Sequence, residues 1–262
     1  MKIVVAYKWA RNPQDAEVRE DGTVDFGRSR AAVSEYDPVA FEVARRLADA
    51  TGGEVIGLSV GDTSIGTSLA RKAALSRGLD RLVLVADDAL ADADSTRLAA
   101  VLAAAVRTIE DVDLVIAGES STDLAEGQVP LTLAAGLGWT GLAGICDVGV
   151  ADEVVTVRRD LPDRRQTLLL DGPAVLSVTA DAVVPRIPGM KEILAAAKKP
   201  VQVLDHASLD VTPVGAAGEA SFEVLSTSRP ADGTRRRVLI DGADPDTAAA
   251  GLVAALRTIG AM

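Results

Sequence analysis

Cysteine and histidine are nearly absent from this chain: Cys146 and His206 stand alone among 262 residues. One cysteine closes no disulfide within the chain, and too few ligands exist for a cysteine-rich iron–sulfur or zinc site. A single histidine offers little to a Ser–His or Cys–His relay. Set among Asp205, Ala207 and Ser208, it reads as a surface residue. Cys146, beside Ile145, reads as a small core residue. Aromatic residues make up only 3%. Long apolar runs are missing too, since the longest, Leu98 to Val106, is far short of the roughly 20 residues of a membrane span. Met1 and Lys2 lead straight into a strand-like run and not into a secretory signal, so a cytoplasmic protein with no membrane span is expected. A net charge of −11 disfavours nucleic acid as a partner. Neither the GxGxxG dinucleotide fingerprint in its strand-to-helix setting nor a GxxxxGK[ST] phosphate loop occurs.

What the chain does have is 48% hydrophobic residues, enough for a large core. They fall in an alternating pattern. Ile3–Ala6, Val55–Val60, Leu82–Val85 and Asp113–Ala117 read as buried strands. Between them, helices are expected from Asp37, as N-cap with Pro38 in the first turn, from Ile65 to Arg77 and from Thr96 to Ile109. Asp21-Gly22, within the polar segment 17–34, signals a hairpin. Such alternation implies a doubly wound, mostly parallel, Rossmann-like α/β sheet. Shorter strands follow at Ile145–Val150, Val154–Arg158 and Gln166–Leu170, then a buried one at Ala174–Val178. The expected division is an α/β domain over 1–200 and a C-terminal arm over 201–262. The arm carries a polar linker near 212–234, a short strand Val238–Ile240 and a terminal helix starting at Asp244-Pro245. The helix has an apolar stripe of Leu252, Val253, Leu256 and Ile259 that needs covering.

In open α/β sheets ligands sit beyond the carboxyl ends of the strands. Here those ends are Ala6-Tyr7-Lys8, Val60-Gly61-Asp62 and Ala117-Gly118-Glu119. The last opens the polar loop GESSTDLAEGQVP, residues 118–130, which contains no lysine or arginine. Glycines, hydroxyls and a following helix start are the parts of an anion site, and Asp123 could accept from ribose hydroxyls. The same residues would equally serve as an ordinary capped strand-to-helix connection.

Three segments resemble the beta subunit of electron transfer flavoproteins, the family that includes the FixA proteins. The first is Ala6 and Lys8 followed by Ser34-Glu35-Tyr36-Asp37 and the helix with Glu42, where Ser34 and Glu35 depart from the family's Asn-Pro. The second is Gly118 to Pro130, with Asp123 and Gln128 at the family's spacing and Leu124-Ala125 departing from it. The third and most specific is PAVLSVTADAVVPRIPGMKEILAAAKKP, residues 173–200. There Pro185, Arg186, Ile193, Lys198 and Lys199 match, while Val184 replaces a glutamate. The likeness runs from residue 1 to about 205.

It implies an electron carrier without acid–base catalytic residues of its own. The carrier would pair with an electron transfer flavoprotein alpha subunit, which holds most of the FAD, and would pass electrons from a flavin dehydrogenase to a quinone oxidoreductase. It also implies AMP in this chain, or a second FAD in electron-bifurcating members. Carried over by position, the pocket comprises Ala6, Ser34, Glu35, Tyr36, Asp37, Val60, Gly118, Glu119, Ser120, Ser121, Thr122, Asp123, Gly127, Gln128 and Val129. Backbone amides and hydroxyls would hold the phosphate without a cation. The resemblance makes 1–200 the nucleotide-binding domain, with a recognition loop at about 182–196, and has the arm over 201–262 pack on the alpha subunit. The partner-binding residues would be Arg186, Met190 and Ile193, with Met190 as an apolar anchor; a core methionine at a helix start is the competing role. A stand-alone, universal-stress-type nucleotide-binding regulator would share the sheet but not the 173–200 segment.

Overall fold

The computed structural model describes residues 1–262 except 153, 213–224, 227, 229, 232 and 234–236. The linker expected near 212–234 therefore lies largely outside the described residues. The chain opens with β1 (Lys2–Ala6), buried from Ile3 onward because both faces of a parallel strand are covered. Two short antiparallel ribbons follow, β2 (Trp9–Arg11) with β5 (Ala31–Val33), and β3 (Glu17–Val18) with β4 (Val24–Asp25). The second ribbon turns at Asp21-Gly22, as the dipeptide indicates, with Gly22 at φ 83°.

The main sheet then builds outward from β1. Helix α1 (Asp37–Thr51) leads to β6 (Glu54–Gly61), and α2 (Ser68–Leu75) leads to β7 (Arg81–Ala86). Helix α3 (Ser95–Arg107) returns the chain to β8 (Leu114–Gly118), on the other side of β1. After α4 (Val129–Leu137) come β9 (Thr140–Ala151), β10 (Val154–Asp160), β11 (Arg165–Leu170) and β12 (Ala174–Val178). Helix α5 (Met190–Ala196) precedes β13 (Val201–Leu204). The nine strands lie in the order β11-β10-β9-β12-β8-β1-β6-β7-β13. From β12 to β13 every pairing is parallel, and β10 and β11 extend the sheet as an antiparallel meander from the end of β9. Helices cover both faces: α1 and α2 pack with Ile3 and Val5, α3 and α4 with Val4 and Ala6. This is the doubly wound α/β sheet that the alternation implies.

Several local expectations need correction. The second helix is split: Thr63–Gly66 is a 3₁₀ turn, and Thr67, accepting from Ala70 N, caps the α-helix that follows. Asp37 is not an N-cap. It is the first residue of α1, and its carboxylate is engaged outside the helix. Cys146 is half-buried, not core, because it lies where β9 leaves the covered sheet for the meander. His206 is half-buried, with Nδ1 3.1 Å from Asp87 Oδ2 at the end of β7. Val201–Leu204 joins the main sheet, beside β7, and so is not part of a separate arm. Val238–Ile240 forms no strand, lacking a partner among the described residues. A GxGxxG spacing does occur at Gly136, Gly138 and Gly141, but it runs from the end of α4 into β9, the reverse of the dinucleotide setting.

Two compact units are distinguished, Met1–Thr227 and Ser228–Met262. In the second, α6 (Pro245–Thr258) starts as expected: Asp244 caps it by accepting from Thr247 N at 3.0 Å. None of its residues is buried.

Candidate functional site

The strand order reverses at β1. The chain moves from β1 to β6 and β7, then crosses back to β8, so the carboxyl ends of β1 and β8 diverge around a cleft. The cleft encloses about 700 Å³ including the open solvent at its mouth. Its floor is Ala6, Ala117 and Gly118 from the two strand ends, with Val60 from β6. One side is apolar, with Leu98 and Leu102 of α3, and Val129 begins α4 at the rim. The other is the polar loop, with Ser120, Ser121, Leu124, Glu126, Gly127 and Gln128.

Gly118 is required by proximity. A Cβ there would lie 2.7 Å from the Tyr36 carbonyl oxygen and 2.9 Å from Asp37 Oδ1. The end of β8 therefore presses against the first turn of α1. Asp37 joins the three elements: its carboxylate accepts the Lys8 N–H at 2.7 Å and the Gly118 N–H. The group is buried, and burial pushes its pKa to about 7, against the lowering effect of these two hydrogen bonds and the Lys8 charge. Beneath it the Tyr7 ring packs on Phe41, centroids 5.4 Å apart, and burial followed by the Asp37 charge pushes the Tyr7 hydroxyl up.

The loop contains no cation, yet the cleft does. Lys8, emerging from β1, places Nζ 2.7 Å from Asp123 Oδ2 and 3.0 Å from Oδ1. Burial works to raise the Asp123 carboxyl, but the hydrogen bonds from Lys8 and Ser121 and the Lys8 charge outweigh it and hold it below the usual range. The expectation of a site without a cation is thus corrected: the strand end supplies what the loop lacks. Opposite, Ser95 at the start of α3 donates to Glu126 and draws the loop towards that helix. Ala125 and Gly127 take left-handed backbone, φ 55° and 64°, where the loop turns back into α4.

The residues expected at the site separate into two groups. Ala6, Asp37, Val60, Gly118, Ser120, Ser121, Gly127, Gln128 and Val129 line the cleft. Ser34, Glu35, Tyr36, Glu119, Thr122 and Asp123 stand behind or beside it and hold the wall. Thr122 Oγ1 lies 3.1 Å from Ser34 Oγ and accepts the Glu35 N–H at 3.2 Å. Glu119 accepts the Ala180 N–H at 2.9 Å, tying the loop to the end of β12. Ser95, Leu98 and Leu102 line the cleft although the sequence pattern places the two leucines only on the apolar face of α3. The signal was available: in a doubly wound sheet, the helix after β7 starts at the carboxyl edge, beside the cleft.

Chemically the site offers an apolar slot with hydroxyls, one paired ammonium and the first turn of α4 at its rim. That suits a planar base with a polar, anionic extension. Among the described residues no group of three or more His, Cys, Asp or Glu is placed to hold a metal ion. No helix among them is long and apolar enough to cross a membrane.

The second expected site is on the surface. Arg186, Met190 and Ile193 lie on the segment between β12 and α5 and on α5 itself. Met190 is 72% exposed, which excludes the core role. Val184, Ile187 and Leu194 are exposed on the same segment.

In comparison with known proteins, the family model for the electron transfer flavoprotein domain matches residues 22–209. The match takes in the sheet from β6 to β13, the cleft loop and the exposed segment.

Proposed function

The chain belongs to the electron transfer flavoprotein domain family, and from that premise we propose that it is the beta-type, FixA-like subunit of a heterodimeric electron transfer flavoprotein. Its role is electron transfer of the flavoprotein type. In the proposed complex an alpha subunit carries most of the FAD, a flavin dehydrogenase donates electrons and a quinone oxidoreductase or similar acceptor receives them. Bound FAD supplies the one- and two-electron chemistry. This chain supplies a nucleotide pocket, a surface for the alpha subunit and a docking segment.

The observation that carries the reading is the cleft at the β1/β8 switch point. AMP fits its wall. Leu98, Leu102 and Val60 provide an apolar face for adenine. Ser120, Ser121 and the start of α4 provide donors for a phosphate, and Lys8 provides charge if its pairing with Asp123 is shared with the ligand. Glu126 in the lining, and Asp123 beside it if its pairing with Lys8 opens towards the ligand, are the acceptors for ribose hydroxyls. Asp37 closes the floor as a carboxyl whose pKa, raised by burial to about 7, leaves it partly protonated near neutral pH, which reduces its repulsion of an anion. The apolar stripe of α6, in which Leu252 and Ile259 are exposed, is the proposed contact of the arm with the alpha subunit. Met190, with Ile187 beside it, is the proposed anchor in the dehydrogenase, flanked by the polar Lys191 and Glu192.

Co-expression with a candidate alpha chain, denaturation and identification of the released nucleotides tests the proposal. One FAD and one AMP per heterodimer are expected, with this chain alone colourless. Two FAD per heterodimer would instead make the complex electron-bifurcating, and nucleotide binding without any alpha subunit would favour the stand-alone regulator.

A further inference from the structure

Between Val183, which packs on the core below α1, and Ala196, which is buried, the chain forms an exposed arch. Residues 184–189 have no regular secondary structure. Ile187 is 93% exposed and Val184 84%. An apolar arch of this kind has little reason to keep one shape unless something holds it.

Arg186 is what holds it. Among the described residues, Arg186 alone of residues 183–188 makes hydrogen bonds to the rest of the domain, and all of them go to Glu42. Its Nε donates to Oε2 at 2.6 Å, Nη2 to Oε1 at 3.3 Å, and its own backbone N–H to Oε2 at 3.3 Å. One carboxylate thus fixes both the side chain and the backbone of the arch. Glu42 in turn sits on the second turn of α1, its side chain only 7% exposed, and accepts a further bond from Arg46 Nε at 2.9 Å. Two-pronged guanidinium–carboxylate pairs combine strength with fixed orientation. Pro185 and Pro188 bracket Arg186 and restrict the backbone on either side. A single tie is therefore enough to orient the arch.

We propose that Glu42 and Arg186 are positioning residues for partner docking: the pair presents Ile187 and Met190 in one orientation and so sets the affinity of the electron-transfer encounter. This gives Arg186 a role other than the direct partner contact first expected of it, and it rests on the docking role proposed above for the segment. Binding through a pre-ordered arch avoids the entropy cost of ordering it on contact.

The test uses the heterodimer and whichever purified flavin dehydrogenase reduces the wild-type complex. Glu42→Gln and Arg186→Ala are compared with Arg186→Lys, which keeps the charge but loses the fork. Measurements are amide exchange over residues 184–195, KM and kcat for reduction by the dehydrogenase, and nucleotide content. We expect exchange of the arch amides to quicken at least tenfold and KM to rise about tenfold in Glu42→Gln and Arg186→Ala. Arg186→Lys should fall between these and wild type. In all three, kcat should fall less than twofold and bound nucleotide should stay at wild-type stoichiometry. Quickened exchange with an unchanged KM would overturn the positioning role, and so would unchanged exchange. A KM that rises only together with a loss of nucleotide would reduce the pair to a general stabiliser of α1. If no flavin dehydrogenase reduces the wild-type heterodimer, the carrier reading itself fails and the docking role fails with it. A reducible wild type whose variants match it overturns the positioning role alone.

Discussion

The cleft and the docking arch lie on opposite terms with the fold. The cleft is made of backbone: two strand ends that diverge, two helix starts and a loop pinned between them. The arch is made of side chains displayed by residues 184–189, which lack regular structure, and by the start of α5, and among the described residues its irregular part is tied to the domain by the Glu42–Arg186 pair. A site of the first kind survives the loss of most individual polar groups but tolerates no bulk at its seams. A site of the second kind accepts substitution of what it displays, yet depends on the one contact that orients it.

The largest effect should come from the buried carboxyl at the cleft floor. Asp37 has a folded pKa near 7 against an ordinary 3.8. The folded protein therefore holds a proton that the unfolded chain has released, and stability present below the unfolded value is lost as pH rises through about 7. A shift of this size corresponds to roughly 4 kcal/mol. Urea unfolding of wild type and Asp37→Asn at intervals from pH 4 to 8 should show the difference between them moving in the variant's favour by an amount of that order. Glu42 and Asp123, held low by their cationic partners, push the other way, but they are common to both proteins. A pH-independent difference would mean that Asp37 is ionised throughout.

Next in size is Gly118→Val. With backbone atoms of Tyr36 already under 3 Å from the position of a Cβ, the helix start must move, at about 3 kcal/mol. Nucleotide should be lost with it. A variant that keeps both melting temperature and nucleotide would show the seam to be loose.

Asp123→Ala and Ser121→Ala act on the same cleft more mildly. Each should weaken nucleotide retention by about 1–3 kcal/mol if its hydrogen bond to the ligand is shielded from water. Asp123→Ala should cost little stability, because the Lys8–Asp123 pair is partly exposed and such pairs contribute ~1 kcal/mol or less. Equilibrium dialysis against AMP separates the two quantities. Unchanged retention in both variants would return the loop to a plain strand-to-helix connection.

The smallest effect on stability belongs to the arch. Met190→Ala removes a side chain that is 72% exposed, so the unfolding free energy should change by less than about 0.5 kcal/mol. Reduction by the dehydrogenase should nevertheless slow about tenfold, equivalent to about 1.4 kcal/mol of encounter energy. A destabilised variant with an unaltered rate per folded complex would remove Met190 from the interface.

Much of this was legible before folding. The runs at Ile3–Ala6, Val55–Val60, Leu82–Val85 and Asp113–Ala117 identify the strands because burial on both faces requires continuous apolar stretches. The glycine, hydroxyl and acidic pattern of 118–130 identifies the loop, and Pro185-Arg186 with the lysines at 198 and 199 identifies the arch. Less legible were positions where one residue has two physical explanations. Asp37 before Pro38 has every mark of an N-cap, yet its carboxylate is taken by the N–H groups of Lys8 and Gly118. Val201–Leu204 follows the helix and its lysines as the expected start of the arm, and only the free edge of β7 makes it part of the sheet.

By itself, then, the sequence determined periodicity, strand order along the chain, the acidic balance and the chemical stock of the loop. These are local quantities, set by neighbours within a turn or two. Only the tertiary structure decided which distant groups meet: Lys8 with Asp123 across 115 positions, Ser34 with Thr122 across 88, Glu42 with Arg186 across 144. Such pairings depend on where the sheet reverses direction, which is a property of how the strands stack and not of any one segment. The cation that the loop lacks, the proton that Asp37 keeps and the tie that holds the arch all arise from that reversal and from the helices packed across it.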